Sequence, residues 1–212
     1  MVENGVKLYM KKNITLGITG ASGIPIAFKL LEQLLINDCR VNLVITNAGI
    51  MTIKQETTIS LAVNPNTIKE TLIEKLGLVN VKNFFVYGNN DWFSPLASGS
   101  SVSDAMVVCP CSMSTLGKIA NGIGDDLLVR ACDVILKERK NLVIVPRETP
   151  LSAIHLENML NLAKIGVSIL PPEPAFYLHP KTVEEIIGYI VSRILDQLKI
   201  DNDLISRWSM NK

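Results

Sequence analysis

Four short stretches of the chain carry groups that could do chemistry. The first, "ITLGITGASGIPIA" (residues 14–27), runs from an apolar strand through a glycine turn into a helix. Gly20, Ala21 and Ser22 therefore stand at a helix N-terminus, where free backbone N–H groups and the helix dipole favour an anion. Ser22 could bond that anion or cap the helix. The second stretch, "CSMST", repeats the arrangement with Ser112, Met113, Ser114 and Thr115. In the third, "PRETP", Arg147 and Glu148 follow the apolar run "NLVIV". An Arg–Glu pair there can hold a phosphate and move a proton, or simply close a salt bridge at the rim. The fourth, "DDLLVRACDVILKERK", places Asp126, Arg130, Asp133 and Lys137 along one side of a helix, the spacing of a solvated ion ladder.

The glycines of the first stretch, Gly17, Gly20 and Gly23, are spaced G-x-x-G-x-x-G, whereas a dinucleotide site calls for G-x-G-x-x-G. No acidic residue follows the second apolar strand to hold a ribose, since "VITNAG" offers Thr46 and Asn47. One phosphate cradle with neutral donors around it suits a mononucleotide such as FMN. Trp92 lies in a long irregular stretch, "YGNNDWFSPLASGSS", where an indole can plug the core, stack on a planar ring or face a cation. Arg193 borders the apolar stripe of the last helix, and Tyr177 follows the irregular "PPEPAF". His155 and His179 are the only histidines, and both read as capping or surface residues; no metal site is expected.

These residues need a scaffold. Apolar, β-rich runs at 14–19, 41–46, 83–87, 105–109, 142–146 and 167–170 alternate with helical patterns at 22–36, 66–76, 113–121, 126–138, 152–164 and 181–198. Near-continuous apolar strands with helices between them predict a doubly wound parallel sheet, Rossmann-like or flavodoxin-like, in a three-layer α/β/α single domain. Residues 14–200 are expected to form that domain, between tails at 1–13 and 201–212. Ligands in such sheets bind beyond the carboxyl ends of the strands, which is where the first three stretches fall.

Lys and Arg total 21 against 20 Asp and Glu, so no basic field exists to hold a nucleic acid. No stretch reaches the length of a membrane span, and the four cysteines, Cys39, Cys109, Cys111 and Cys132, show no secreted-type framework. A cytoplasmic protein with reduced thiols is expected. Apolar residues make up 48% of the chain, more than one small domain hides, which points to subunit interfaces.

The segments "TGASG", "NDWFSPLASGSS", "MVVCPCSMSTLGKIANGIGDDLLVRACDVILKE", "LVIVPRETPLSAIHLENMLNLAKIGVSILP", "FYLHP" and Arg207-Trp208 together resemble the flavin prenyltransferases of the UbiX/Pad family over almost the whole chain. The resemblance implies transfer of a dimethylallyl group from dimethylallyl phosphate, or its pyrophosphate, to N5 and C6 of reduced FMN without a metal. The prenylated FMN would serve a UbiD-type decarboxylase, and the enzyme would be a homododecamer with sites at subunit interfaces. Gly20, Ala21, Ser22, Thr46, Ser112, Met113, Ser114, Thr115 and Arg130 would contact FMN, and Tyr177 and Arg193 the donor phosphate. Lys137, Arg147 and Glu148 match the family's charged phosphate and proton-transfer positions, with Trp92 and Ser98 on its active-site loop; Ser22 joins the catalytic group. Two rivals share part of this pattern. A cysteine decarboxylase of the phosphopantothenoylcysteine type looks similar around "STLGKIANGIGDDLL" but wants a placed histidine base. A non-catalytic FMN-binding protein would need the two cradles without the charged set.

Overall fold

The computed structural model describes residues 12–205. Arg207 and Trp208 lie outside the described residues. In chain order the elements are β1 (Asn13–Ile18), α1 (Ile24–Ile36), β2 (Arg40–Ile45), α2 (Asn47–Glu56), α3 (Pro65–Leu76), β3 (Phe84–Tyr87), β4 (Ala105–Cys111), α4 (Met113–Ala120), α5 (Leu127–Lys137), β5 (Asn141–Pro146), α6 (Ala153–Lys164), β6 (Ser168–Ile169) and α7 (Val183–Gln197). All six strands are parallel, in the order β3-β2-β1-β4-β5-β6. Of the two doubly wound orders left open by the sequence, this is the Rossmann one.

Strand alternation sorts the core into two layers. Val107 and Cys109 of β4 and Val143 and Val145 of β5 face a cluster completed by α1, α3 and α7, through Leu30, Leu31, Leu72, Val191 and Ile194. Their neighbours Met106, Val108, Leu142 and Ile144 face the opposite cluster, with Leu116 of α4 and Leu128 and Cys132 of α5. Both faces of the sheet must be apolar for this to work, which is why its strands read as unbroken hydrophobic runs. At the carboxyl pole the strand order reverses between β1 and β4. Connections leaving those two strands run to opposite faces and leave a crevice between them.

One helix was not expected. α2 follows β2 directly, but only Gly49 and Ile53 of its ten residues are buried, too thin a stripe to betray a helix in the sequence. Its first turn is fixed by Thr46, whose hydroxyl accepts from the Gly49 N–H at 3.0 Å.

Candidate active site

The β1 and β4 ends are tied together by one buried hydroxyl. Thr19, 1% exposed, donates through Oγ1 to the Pro110 carbonyl at 2.8 Å and accepts there from the Ser112 N–H at 2.8 Å. Its own N–H also reaches the Pro110 carbonyl, at 3.2 Å. Thr19 thus sets the spacing between the Gly20–Ser22 turn and the start of α4.

The two turns differ in what they offer. At α4, Ser112 is the N-cap: its Oγ accepts from the Thr115 N–H at 3.3 Å and lies 3.0 Å from the Thr115 hydroxyl. The N–H groups of Met113 and Ser114, first in the helix, have no intrahelical partner and point out of its positive end. At α1 the expectation of an open anion site is corrected. The N-cap is Gly23, at φ 121°, with no side-chain cap, and the helix end already holds a carboxylate. Glu56, the last residue of α2, accepts through Oε2 from the Gly23 and Ile24 N–H groups at 3.0 and 2.9 Å, and from the Ser22 hydroxyl. Burial alone would raise the Glu56 carboxyl. Those hydrogen bonds, with the charge of Arg147, outweigh it and hold the group below the ordinary carboxylate range. Ser22 therefore neither caps α1 nor faces an empty helix end. It is linked through Glu56 to Arg147.

The open cradle runs along Gly20, Ala21, Thr46 and the α4 N-terminus. A Cβ on Gly20 would lie 2.5 Å from that of Ala48, so glycine is what lets the β1 turn close on α2. This donor set fits a flavin mononucleotide: neutral hydroxyls and backbone N–H groups around one free helix terminus, with no acidic residue beside β2.

Arg147 and Glu148 stand exposed at the end of β5, on a cavity of about 230 Å³ that Met159 and Glu173 also line. Glu148 Oε1 accepts from the Thr149 N–H at 3.1 Å. The segment Pro171–Glu173 forms one wall of this cavity and, on its other side, of a cleft of about 430 Å³ that holds Tyr189 and Arg193. Tyr177 hydrogen-bonds to Tyr189, which raises the Tyr189 phenol; burial adds to the rise and Arg193 opposes it. Arg193 itself pairs with Asp196 at 2.8 Å. Arg147, Glu148, Tyr177 and Arg193 thus gather around one segment of chain.

Lys137 does not join them. It ends α5, and β5 begins four residues later, so Lys137 sits at the amino pole of the sheet. The length of β5 alone, at ~3.3 Å per residue, separates the two poles by about 20 Å. Lys137 pairs there with Glu138 and crowds Gly99, whose added Cβ would come within 2.5 Å of the Lys137 Nζ. The ion ladder on α5 is also corrected. Asp126 is the N-cap, accepting from the Val129 N–H at 3.0 Å, while Arg130 pairs with Asp133 and donates to the Ala97 carbonyl at 3.3 Å. Capping, the i, i+3 pair Arg130–Asp133 and the neighbouring loop satisfy these groups in place of i, i+4 partners.

The loop with Trp92 and Ser98 lies along α5. Asn89 anchors it by accepting from the Leu127 and Leu128 N–H groups at 2.8 and 3.3 Å. Trp92 is 46% exposed and Ser98 bonds to Ser100 at 3.0 Å, so neither is consumed by the chain's own core. His155 closes a capping box with Ser152: its Nδ1 accepts from the Ser152 N–H and its own N–H bonds to Ser152 Oγ. Among the described residues, no group of three or more His, Cys, Asp or Glu side chains is gathered as a metal site, and no helix is long and apolar enough to cross a membrane. The sequence reading missed Glu56, Glu173 and Tyr189, whereas Thr19 was legible as a polar residue at the end of the first strand. The proline-rich "PPEP" contains Glu173, but nothing local marks Glu56 or Tyr189.

Known proteins resemble this chain in both sequence and fold. The Flavoprotein family model matches residues 4–195. A flavin prenyltransferase UbiX from Methanocaldococcus jannaschii is 49% identical over 191 residues, 90% of this chain and 95% of the relative. The crystal structure of AnUbiX (PadA1) in complex with FMN and dimethylallyl pyrophosphate superposes with a TM-score of 0.84 at 37% identity, covering 96% of this chain and 100% of the other. A dodecameric FMN-dependent UbiX-like decarboxylase from Escherichia coli O157:H7 gives 0.80 at 38%, covering 93% and 99%. The match thus runs across nearly the full length of these relatives in both sequence and fold, and the chain belongs to the flavin prenyltransferase family.

Proposed function

We propose that the protein prenylates reduced FMN with a dimethylallyl phosphate, in a catalytic unit spanning residues 14–200. The observation that carries this reading is the placing of an FMN-type cradle at β1 and β4 beside a charged, phosphate-sized site at β5 and α7. FMN, when bound, supplies N5 and C6 as the atoms that accept the prenyl unit. In the cradle, Gly20, Ala21, Ser22, Thr46 and Ser112–Thr115 would hold it, with Arg130 and the Trp92 loop closing over it from α5.

The chain's own residues must then release the allylic phosphate. Arg147, Arg193 and the Tyr177 hydroxyl would bind it, neutralising charge as the carbon–oxygen bond breaks. Glu148, beside Arg147, would carry the proton that the departing phosphate takes up or that ring closure gives off. Ser22, hydrogen-bonded to the ionised Glu56 near Arg147, would place a hydroxyl and a negative charge at the flavin side of the crevice. Trp92 would shelter positive charge on the allyl carbon. Metal independence is part of the proposal, supported by these cations standing where a metal would otherwise act; transfer rates with and without chelator test it.

Lys137 would reach a donor phosphate only from a neighbouring subunit. The dodecameric relative supports such an assembly. So does α6, whose Ile154, Leu156 and Leu160 are 70%, 53% and 54% exposed. Delivery of the product to a UbiD-type decarboxylase in the cytoplasm belongs to the same reading and rests on family resemblance. The cysteine decarboxylase alternative is disfavoured by His155, whose Nδ1 is engaged in the α6 cap.

A further inference from the structure

We infer that Glu173 sets the discrimination between monophosphate and pyrophosphate donors; this rests on the prenyl-transfer reading above. Glu173 is exposed and lines both the Arg147–Glu148 cavity and the Tyr189–Arg193 cleft, so its charge borders both halves of the proposed phosphate site. The charge around it is already negative. Within one chain, and among the described residues, two cations, Arg147 and Arg193, stand with four carboxylates: Glu56 beside Arg147, Asp196 paired to Arg193, Glu148, and Glu173 itself. Among the described residues no salt bridge or side-chain hydrogen bond engages Glu173; its backbone N–H is bonded to the Pro171 carbonyl at 2.8 Å. The flanking prolines Pro171, Pro172 and Pro174 fix φ at three of the segment's residues and limit its retreat.

A pyrophosphate brings one more negative charge than a monophosphate into this site. For unit charges about 8 Å apart, and an effective permittivity between ~20 and ~80, the repulsion is worth between about twofold and about thirtyfold in affinity. The Glu173 carboxylate thus penalises the longer donor selectively, while the monophosphate is held by Arg147 and Arg193.

The test compares kcat/KM for dimethylallyl monophosphate and pyrophosphate in wild type, Glu173→Gln and, as a charge control at the start of α7, Glu184→Gln. Calorimetric titration of the FMN-loaded proteins with inorganic phosphate and inorganic pyrophosphate gives a readout independent of turnover. Glu173→Gln is expected to shift both selectivity ratios toward pyrophosphate by about twofold or more, with a smaller shift at high salt, where screening weakens the repulsion. Glu184→Gln should leave the ratios where they were. An unchanged ratio in Glu173→Gln, or an equal rise for both donors, overturns the inference and leaves the prenyl-transfer reading intact. A wild-type protein that transfers from neither donor overturns that reading instead.

Discussion

Glu56 at the N-terminus of α1 makes a prediction with a definite sign. In Glu56→Gln the side-chain oxygen can still accept from the Gly23 and Ile24 N–H groups, which meet the same carboxylate oxygen at 3.0 and 2.9 Å. What is removed is the charge, together with its attraction to Arg147 and to the helix dipole. Hydrogen bonds to a charged acceptor contribute roughly 1.5–3 kcal/mol against ~1 for neutral ones, and a half-exposed site feels solvent screening, so the loss should be about 1 kcal/mol. For a chain of this size that lowers Tm by about 2–4 °C. The carboxyl is held below its unfolded value, so its contribution is complete above the ordinary carboxylate range and disappears as pH falls through the folded value. Thermal unfolding of both proteins from pH 7 downward should show a constant gap that narrows only below about pH 4.5, the usual glutamate range. Equal Tm values at pH 7, or a gap that ignores pH, would refute the view that α1 is closed by an internal anion.

Other consequences can be checked alongside it. Thr19→Val deletes the hydroxyl that links Pro110 to Ser112 and should weaken FMN binding about tenfold, near 1.4 kcal/mol, with Thr19→Ser restoring it; fluorescence titration of both variants decides this. Glu148→Gln should keep FMN affinity but slow prenyl transfer by about 10²-fold or more, measured in single-turnover assays; parallel loss of both would assign it a structural role. Lys137→Gln and Glu148→Gln proteins should each be weakly active alone and regain activity when mixed and reassembled, because sites made from one subunit of each kind carry a full set; no complementation would place Lys137 outside the site. Burial pushes the Cys39 thiol up to about 11 and holds those of Cys109, Cys111 and Cys132 higher still, so native protein should resist iodoacetamide at pH 8 until denatured.

The parts legible in the sequence were those written in local pattern. The strand runs from Ile14, Val41, Ala105 and Leu142 are continuous because both sheet faces are covered, and the observed strands start within one residue of them. The α7 stripe through Ile187, Ile190, Val191 and Ile194 marks that helix just as plainly. α2 escaped because a helix lying outside the core needs few apolar residues. Glu56 escaped for a related reason: its partners are 32 and 33 residues away in the chain, and no spacing rule connects them. Arg147 and Glu148 were placed by a strand-end rule that holds for any open parallel sheet. Lys137 was grouped with them by family resemblance, whereas within one chain the direction of α5 sends it to the other pole.

The central claim is tested most directly by incubating the protein without oxygen with reduced FMN and dimethylallyl monophosphate, or the pyrophosphate, and weighing the flavin afterwards. The account predicts a flavin heavier by one dimethylallyl-derived unit, formed with or without chelator and lost when both Arg147 and Arg193 are replaced by glutamine. A flavin of unchanged mass under every condition would contradict it.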